Sequence, residues 1–133
     1  MPAMVVTREV LSPGTPVVID SVAPGSSFAV VFEDDGDTGY FYGLDRSRDE
    51  TPIVDALHIY NVASVVDKDK PSEVEIAWSS DSKKAFLFIN RYPHAALDFE
   101  AKRGYCRSGF PAPSAGWAKH SHEWSDDVLE LLK

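Results

Sequence analysis

The chain has 133 residues, 44% of them hydrophobic and 26% charged, proportions that fit one globular domain over residues 1–133 and exclude global disorder. A formal charge of −8 argues against nucleic acid and anionic membranes as partners, since both are held by cations that neutralise phosphates. The lone Cys106 excludes an intramolecular disulfide framework; without a basic-then-apolar leader or an apolar run of roughly 18 to 20 residues, a cytoplasmic protein is expected.

In chain order, Met4, Val5 and Val6 predict an edge strand that Ser12, Pro13 and Gly14 end. Pro16 to Val22 reads as a second strand, with proline at the first position, where its missing N–H matters least. Phe28 to Phe32 is apolar on both faces, which predicts a central strand covered on both sides. Thr38 to Leu44 alternates Tyr40, Tyr42 and Leu44 with Gly39, Phe41 and Gly43, and the acidic Glu33-Asp-Asp-Gly-Asp37 between the two is a hairpin turn. Gly39 and Gly43 share a face, marking a bulge, a close backbone approach or a partner's seat.

Asp45 to Pro52 is a polar loop. From Asp55 to Val62 no single period holds, although the β-branched and aromatic residues of Leu57 to Val62 favour a strand there. Ala63 to Ser72 is a solvated connector. The most regular stretch follows: Glu73 to Trp78 alternates and predicts one wet face, Ala85 to Ile89 is apolar on both faces, and His94 to Phe99 alternates again. Turn residues 79–83 and Asn90-Arg-Tyr-Pro93 join them into a meander.

The pattern then loosens through Lys102 to Phe110 into a loop, Pro111 to Gly116, that could cover a sheet face with Phe110 and Trp117. Ser125 caps a short helix with Asp126 and Asp127 in its first turn; Trp124 and Leu129 are spaced as a hydrophobic staple. The fold class expected is mainly β (α+β): a curled antiparallel sheet or sandwich of hairpins and meander with one short C-terminal helix.

Val31-Phe-Glu-Asp-Asp-Gly with Thr38-Gly-Tyr-Phe-Tyr, Asp55-Ala-Leu-His-Ile-Tyr-Asn-Val, and Asn90-Arg-Tyr-Pro-His-Ala with Gly104-Tyr-Cys-Arg resemble a bacterial family catalogued as domain of unknown function 2251. The likeness runs from about Asp20 to Trp124. It implies a bacterial cytoplasmic protein and brings no activity or functional residues with it. Arg91 stands where that family would place glycine, which bears on the turn type.

Several groups could carry chemistry. Asp55, His58, Tyr60 and Asn61 are polar residues within one apolar segment, and Tyr92, His94 and Asp98 form a second such set; if those strands were neighbours, His58 and His94 could share a ligand pocket with Asp98 as orienter. Histidines satisfied by hydrogen bonds are the plainer account. Cys106 has Arg103 and Arg107 beside it, and cations favour the nucleophilic thiolate; a packed thiol is the alternative. His120 and His122, two apart, are the weak candidates for a metal, with no ligand spacing in support. Glu33, Asp34, Asp35 and Asp37 could contact a basic protein partner or simply form a solvated turn.

No cofactor signature is present: phosphate loops and nucleophile elbows are missing from the sequence. The favoured expectation is a non-enzymatic protein-binding or regulatory module, toxin-neutralising among the options. Alternatives are a small-ligand protein or enzyme using His58 and His94, and a metal protein using His120 and His122. An exposed edge near Val5, or the Tyr40 face, could support a homodimer.

Overall fold

The computed structural model describes residues 4–47, 52–66, 69–111, 117 and 120–132. Among these residues nine strands form two antiparallel sheets. The first has the order β1 (Met4–Leu11), β6 (Ser72–Trp78), β7 (Lys84–Ile89), β8 (Tyr92–Asp98) and β9 (Arg103–Cys106). The second runs β2 (Val17–Val22), β3 (Phe28–Asp34), β4 (Thr38–Asp45) and β5 (Ile53–Asn61). The expected mainly β architecture is present as two facing sheets. Parts of the predicted loops over Asp45–Pro52, Ala63–Ser72 and Pro111–Gly116 lie outside the described residues.

One hydrophobic core joins the sheets. Ile19, Val30, Phe32, Phe41 and Leu57 come from the second sheet, and Val74, Ile76, Trp78, Leu87 and Leu97 from the first. Trp78 Nε1–H donates to Ser21 Oγ at 3.0 Å, so the largest buried ring also carries a polar tie between the layers. Phe99 stacks on Phe28 at 4.4 Å and on Trp78 at 5.9 Å. Turns of the two sheets meet where Ser82 Oγ donates to Pro24 O and Ser26 Oγ to Ser82 O.

The irregular period before Asn61 has a geometric cause. β4 pairs with β5 with breaks in register at Gly39/Tyr40 and Gly43/Leu44, leaving Ile59 and Val54 as the extra residues on β5. Each bulge shifts the alternation by one, so Val54 and Asp55 are both buried and Ile59 and Tyr60 both pack on the core. The two glycines also allow close approach: a Cβ on Gly39 would lie 2.8 Å from the Tyr60 ring, and one on Gly43 3.0 Å from Leu97. Of the three readings open for Gly39 and Gly43, two are found together, a bulge and a close approach.

Three expectations change. β6 has no wet face: Glu75 is buried and takes Arg8 Nη2–H at 2.8 Å, while Ala77 joins a second cluster with Phe86, Ala96 and Val128. The cover comes from β1 alongside and from the C-terminal segment above. That segment, Asp126–Leu132, is a 3-10 helix rather than an α-helix. Its seven residues are too few to sustain an α ladder without packing, and it is anchored by Val128 and Trp124 on the outer face of the first sheet. Lastly β9 is a strand where loosened pattern was expected, because Gly104 interrupts the apolar alternation for a reason that lies across the core.

Candidate functional site

The acidic turn divides by burial. Asp34 is fully buried: its Oδ2 accepts Tyr60 O–H at 2.6 Å and Gly14 N–H at 2.8 Å, and its Oδ1 accepts Gly36 N–H at 2.8 Å. It is a structural anion inside the β3–β4 hairpin and does not reach the surface with its neighbours. Burial and the Asp34 carboxylate push the Tyr60 hydroxyl well above the usual phenol range. Asp35 is exposed and accepts N–H bonds from Thr38 and Asp37, which hold its carboxyl below the ordinary value. Glu33, Asp35 and Asp37 remain to present charge.

Asp55 and His122 make a buried pair not foreseen as one. His122 Nε2 lies 2.8 and 2.9 Å from the two Asp55 oxygens, and Nδ1–H donates to Pro111 O. A carbonyl oxygen can only accept, so Nδ1 carries a proton and both ring nitrogens are already engaged in hydrogen bonds within the protein. His120 is exposed, so the two histidines point into different environments. Among the described residues no three His, Cys, Asp or Glu side chains converge as metal ligands. Gly104 makes room for the pair: a Cβ there would sit 2.8 Å from Asp55 Oδ2 and 2.9 Å from Leu57 Cδ2.

His58 and His94 lie on different sheets and keep separate partners. His58 Nε2 is 3.0 Å from Asn61 Oδ1 and Nδ1 is 3.1 Å from Ser108 Oγ, while its ring meets Tyr40 and Phe110 edge-on. His94 packs edge-on against Tyr92, and burial together with the Arg107 cation lowers its pKa to about 4. Arg107 lies over Trp124 at 4.0 Å and over Tyr92 at 4.7 Å, its Nε–H donating to Pro93 O. Asp98 orients neither histidine; its Oδ1 accepts Glu100 and Ala101 N–H and closes the turn after β8. Cys106 is fully buried, with its thiol 3.6 Å from both Ser108 Oγ and Phe110 O, a packed position rather than an accessible nucleophile.

The outer face of the β2–β5 sheet holds an accessible concavity. Val18, Val31, Glu33, Tyr42, Leu44 and Ile53 line an open groove of about 310 Å³. Val18 is 61% exposed and Ile53 43%. From the groove an aromatic row continues through stacked Tyr42 and Tyr40 to His58 and Phe110, the last 56% exposed. Reading β3 as apolar on both faces located this surface in part, but that pattern was taken to mean cover on both sides. The outer side of β3 instead meets no covering element among the described residues. Ser108 was also missed, because a serine in a loop carries no signal until the fold brings His58 to it.

The family described as "Uncharacterized protein conserved in bacteria (DUF2251)" matches residues 11–133. The chain belongs to that family. A relative in Haemophilus influenzae (strain ATCC 51907 / DSM 11121 / KW20 / Rd), described as "Uncharacterized protein", is 49% identical over 86 residues, 65% of this chain. The match spans about half of that relative, 53% of its length. No solved structure matches the chain. Among the described residues no helix is long and apolar enough to cross a membrane.

Proposed function

We propose that this member of the family is a non-enzymatic binding module that holds another protein against the outer face of the β2–β5 sheet. The observation that carries the reading is the open groove between Val18 and Ile53. A sheet face this apolar is ordinarily covered, and a contiguous exposed apolar patch rimmed by polar groups is the usual mark of a protein contact. Glu33 in the groove, Asp20 opposite Val31, and Asp35 and Asp37 at the adjoining turn give the rim a negative sign. The complementary partner is a protein with an apolar ridge flanked by lysine or arginine. A regulatory role fits this surface; no residue singles out toxin neutralisation among such roles.

The test is co-purification of the tagged protein from its native extract at low salt, run beside a Val18→Asp variant that charges the groove. A stoichiometric basic protein retained by the wild type and lost from the variant is expected. An identical set of proteins on both baits would defeat the reading, as would self-association through the groove.

A second reading rests on His58, whose ring is held at both nitrogens by Asn61 and Ser108 at the end of the aromatic row. If that arrangement or His94 serves a small ligand, thermal stabilisation found in a ligand screen should vanish in His58→Ala or His94→Ala.

A further inference from the structure

The two sheets end in four strands, and three of these edges are occupied or irregular. On β5, His58 N–H donates to Phe110 O at 2.8 Å and Ser108 Oγ donates to His58 O at 3.0 Å, so the segment after β9 lies along that edge. β9 is likewise met by His122, whose carbonyl accepts Cys106 N–H at 2.9 Å, and by a bridge from Cys106 to Glu123. In β1 the register shifts between Val5 and Thr7, leaving Val6 as a bulge, and a bulge at an edge is a common device against strand addition.

The remaining edge, β2, is open and regular. It pairs with β3 from Val17↔Asp34 to Val22↔Ala29 with no shift in register. Ala23 N–H donates to Phe28 O and, across β3, Asp35 N–H donates to Thr38 O; together these bonds fix the phase of the ladder. Val17, Ile19 and Ser21 turn their backbone groups toward β3, and Val18, Asp20 and Val22 turn theirs away. No backbone group of the latter residues has a partner among the described residues. Their side chains stand on the outer face, Val18 and Val22 exposed with Asp20 exposed between them. One strip thus offers unpaired donors and acceptors beside an apolar, acidic, apolar row.

The charge selects the occupant. A second copy of β2 laid antiparallel along the whole strand would set Asp20 against Asp20, and like charges directly opposite are destabilising. A different chain with lysine or arginine opposite Asp20 meets the carboxylate with its counter-charge, and apolar side chains two residues to either side meet Val18 and Val22. Glu33, the neighbour of Val18 across the ladder, adds a second carboxylate to that side of the sheet. We infer that the face proposed above takes its partner as an added strand, an extended basic segment of this pattern that pairs with the backbone of Val18, Asp20 and Val22 and continues the apolar groove past Val18. The inference rests on that face being the binding face and names how the partner is held there.

The probe is the blocked peptide STVTKTVTS, added at millimolar concentration to the intact protein while amide hydrogen exchange is followed residue by residue. Its sequence reads the same in both directions, so neither strand direction is prejudged. The amides of Val18, Asp20 and Val22 should exchange freely in the protein alone and slow by about tenfold at saturating peptide, while Ile19 and Ser21, already bonded to β3, change little. Glutamate in place of the peptide's lysine should weaken binding, and Asp20→Lys should reverse that preference. A peptide N-methylated at the lysine keeps every side chain but loses a ladder bond, and should give no slowing. Asp20→Pro deletes an N–H that points away from β3, so the β2–β3 ladder survives and peptide affinity should fall by about tenfold or more.

The proposal is overturned if the three amides stay unprotected at millimolar peptide, or if the N-methylated peptide protects them as well as its parent. Protection that appears without peptide and grows with protein concentration would equally overturn it, by showing pairing between copies. The native extract separates this inference from the reading it rests on: a partner lost by Val18→Asp but kept by Asp20→Pro would remove the added strand and leave the groove as the contact.

Discussion

Buried charge is concentrated in a few side chains that tie distant strands together. Asp34 gathers donors from Gly14, Gly36 and Tyr60, partners up to 26 residues away. Tyr60→Phe removes one bond to a buried anion and should cost about 1.5 to 3 kcal/mol in urea unfolding. Asp55 and His122 are more exacting, because neutralising one member strands the other. Asp55→Asn should destabilise by about 3 to 5 kcal/mol, with Asp55→Asn/His122→Phe losing less than the sum of the two single variants. Gly104→Ala, which drives a Cβ against Asp55 and Leu57, should lower stability by about 1 to 3 kcal/mol. His94 sets a pH dependence. Its folded pKa of about 4 lies below the ordinary histidine value of 6.5, so between those limits the unfolded chain binds more protons than the folded one. Stability should therefore rise from pH 4 to pH 6.5, by on the order of 2 kcal/mol once the remaining solvent contact is allowed for, and His94→Asn should flatten that limb in pH-resolved melts. Residue types alone revealed little of this. Asp34 has the same appearance in sequence as Asp35 and Asp37, and only the approach of Gly14 and Tyr60 separates a core anion from a solvated one.

At the scale of elements, the β7–β8 hairpin shows how far local chemistry reaches. Ile89 pairs with Tyr92, leaving Asn90 and Arg91 as a two-residue turn with φ of 52° and 66°. Two successive positive φ values define the primed turn that suits strand twist, and asparagine followed by glycine is its easiest sequence. Arg91 adopts the left-handed region at some cost, so Arg91→Gly should stabilise the protein by about 0.5 to 1 kcal/mol, measured as a raised urea midpoint with unchanged slope. The strands flanking this turn were legible from Ala85–Ile89 and from Ala95 onward, while the bulge that leaves His94 unpaired between Pro93 and Ala95 carried no signal of its own. β5 was only half legible, since each bulge inserts a residue and resets the period. The C-terminal segment was recognised by its cap, and Asp127 N–H does reach Ser125 Oγ at 3.3 Å. Its helix type depended on docking through Val128, which no local pattern reports.

Across the whole molecule, the two sheets differ in what covers their outer faces. The first carries the 3-10 segment, Trp124 and Tyr105 over Ala77, Phe86 and Ala96, whereas the second leaves Val18, Tyr42 and Ile53 accessible. If a basic protein docks on that face, the negative rim should steer it, and raising salt from about 0.05 to 0.5 M should slow association more than it speeds dissociation in a surface-binding assay. An unchanged association rate would remove Glu33, Asp35 and Asp37 from the contact. The sequence by itself determined the antiparallel β class, most strand positions and the family, because side-chain alternation, turn residues and local motifs are properties of neighbouring residues. Tertiary structure alone decided which apolar faces are buried, that His122 meets Asp55 while His58 and His94 stay apart, and that Gly104 must be glycine. Those outcomes depend on how the two sheets are laid against each other, bringing together side chains up to 67 residues apart, a distance at which local periodicity carries no information.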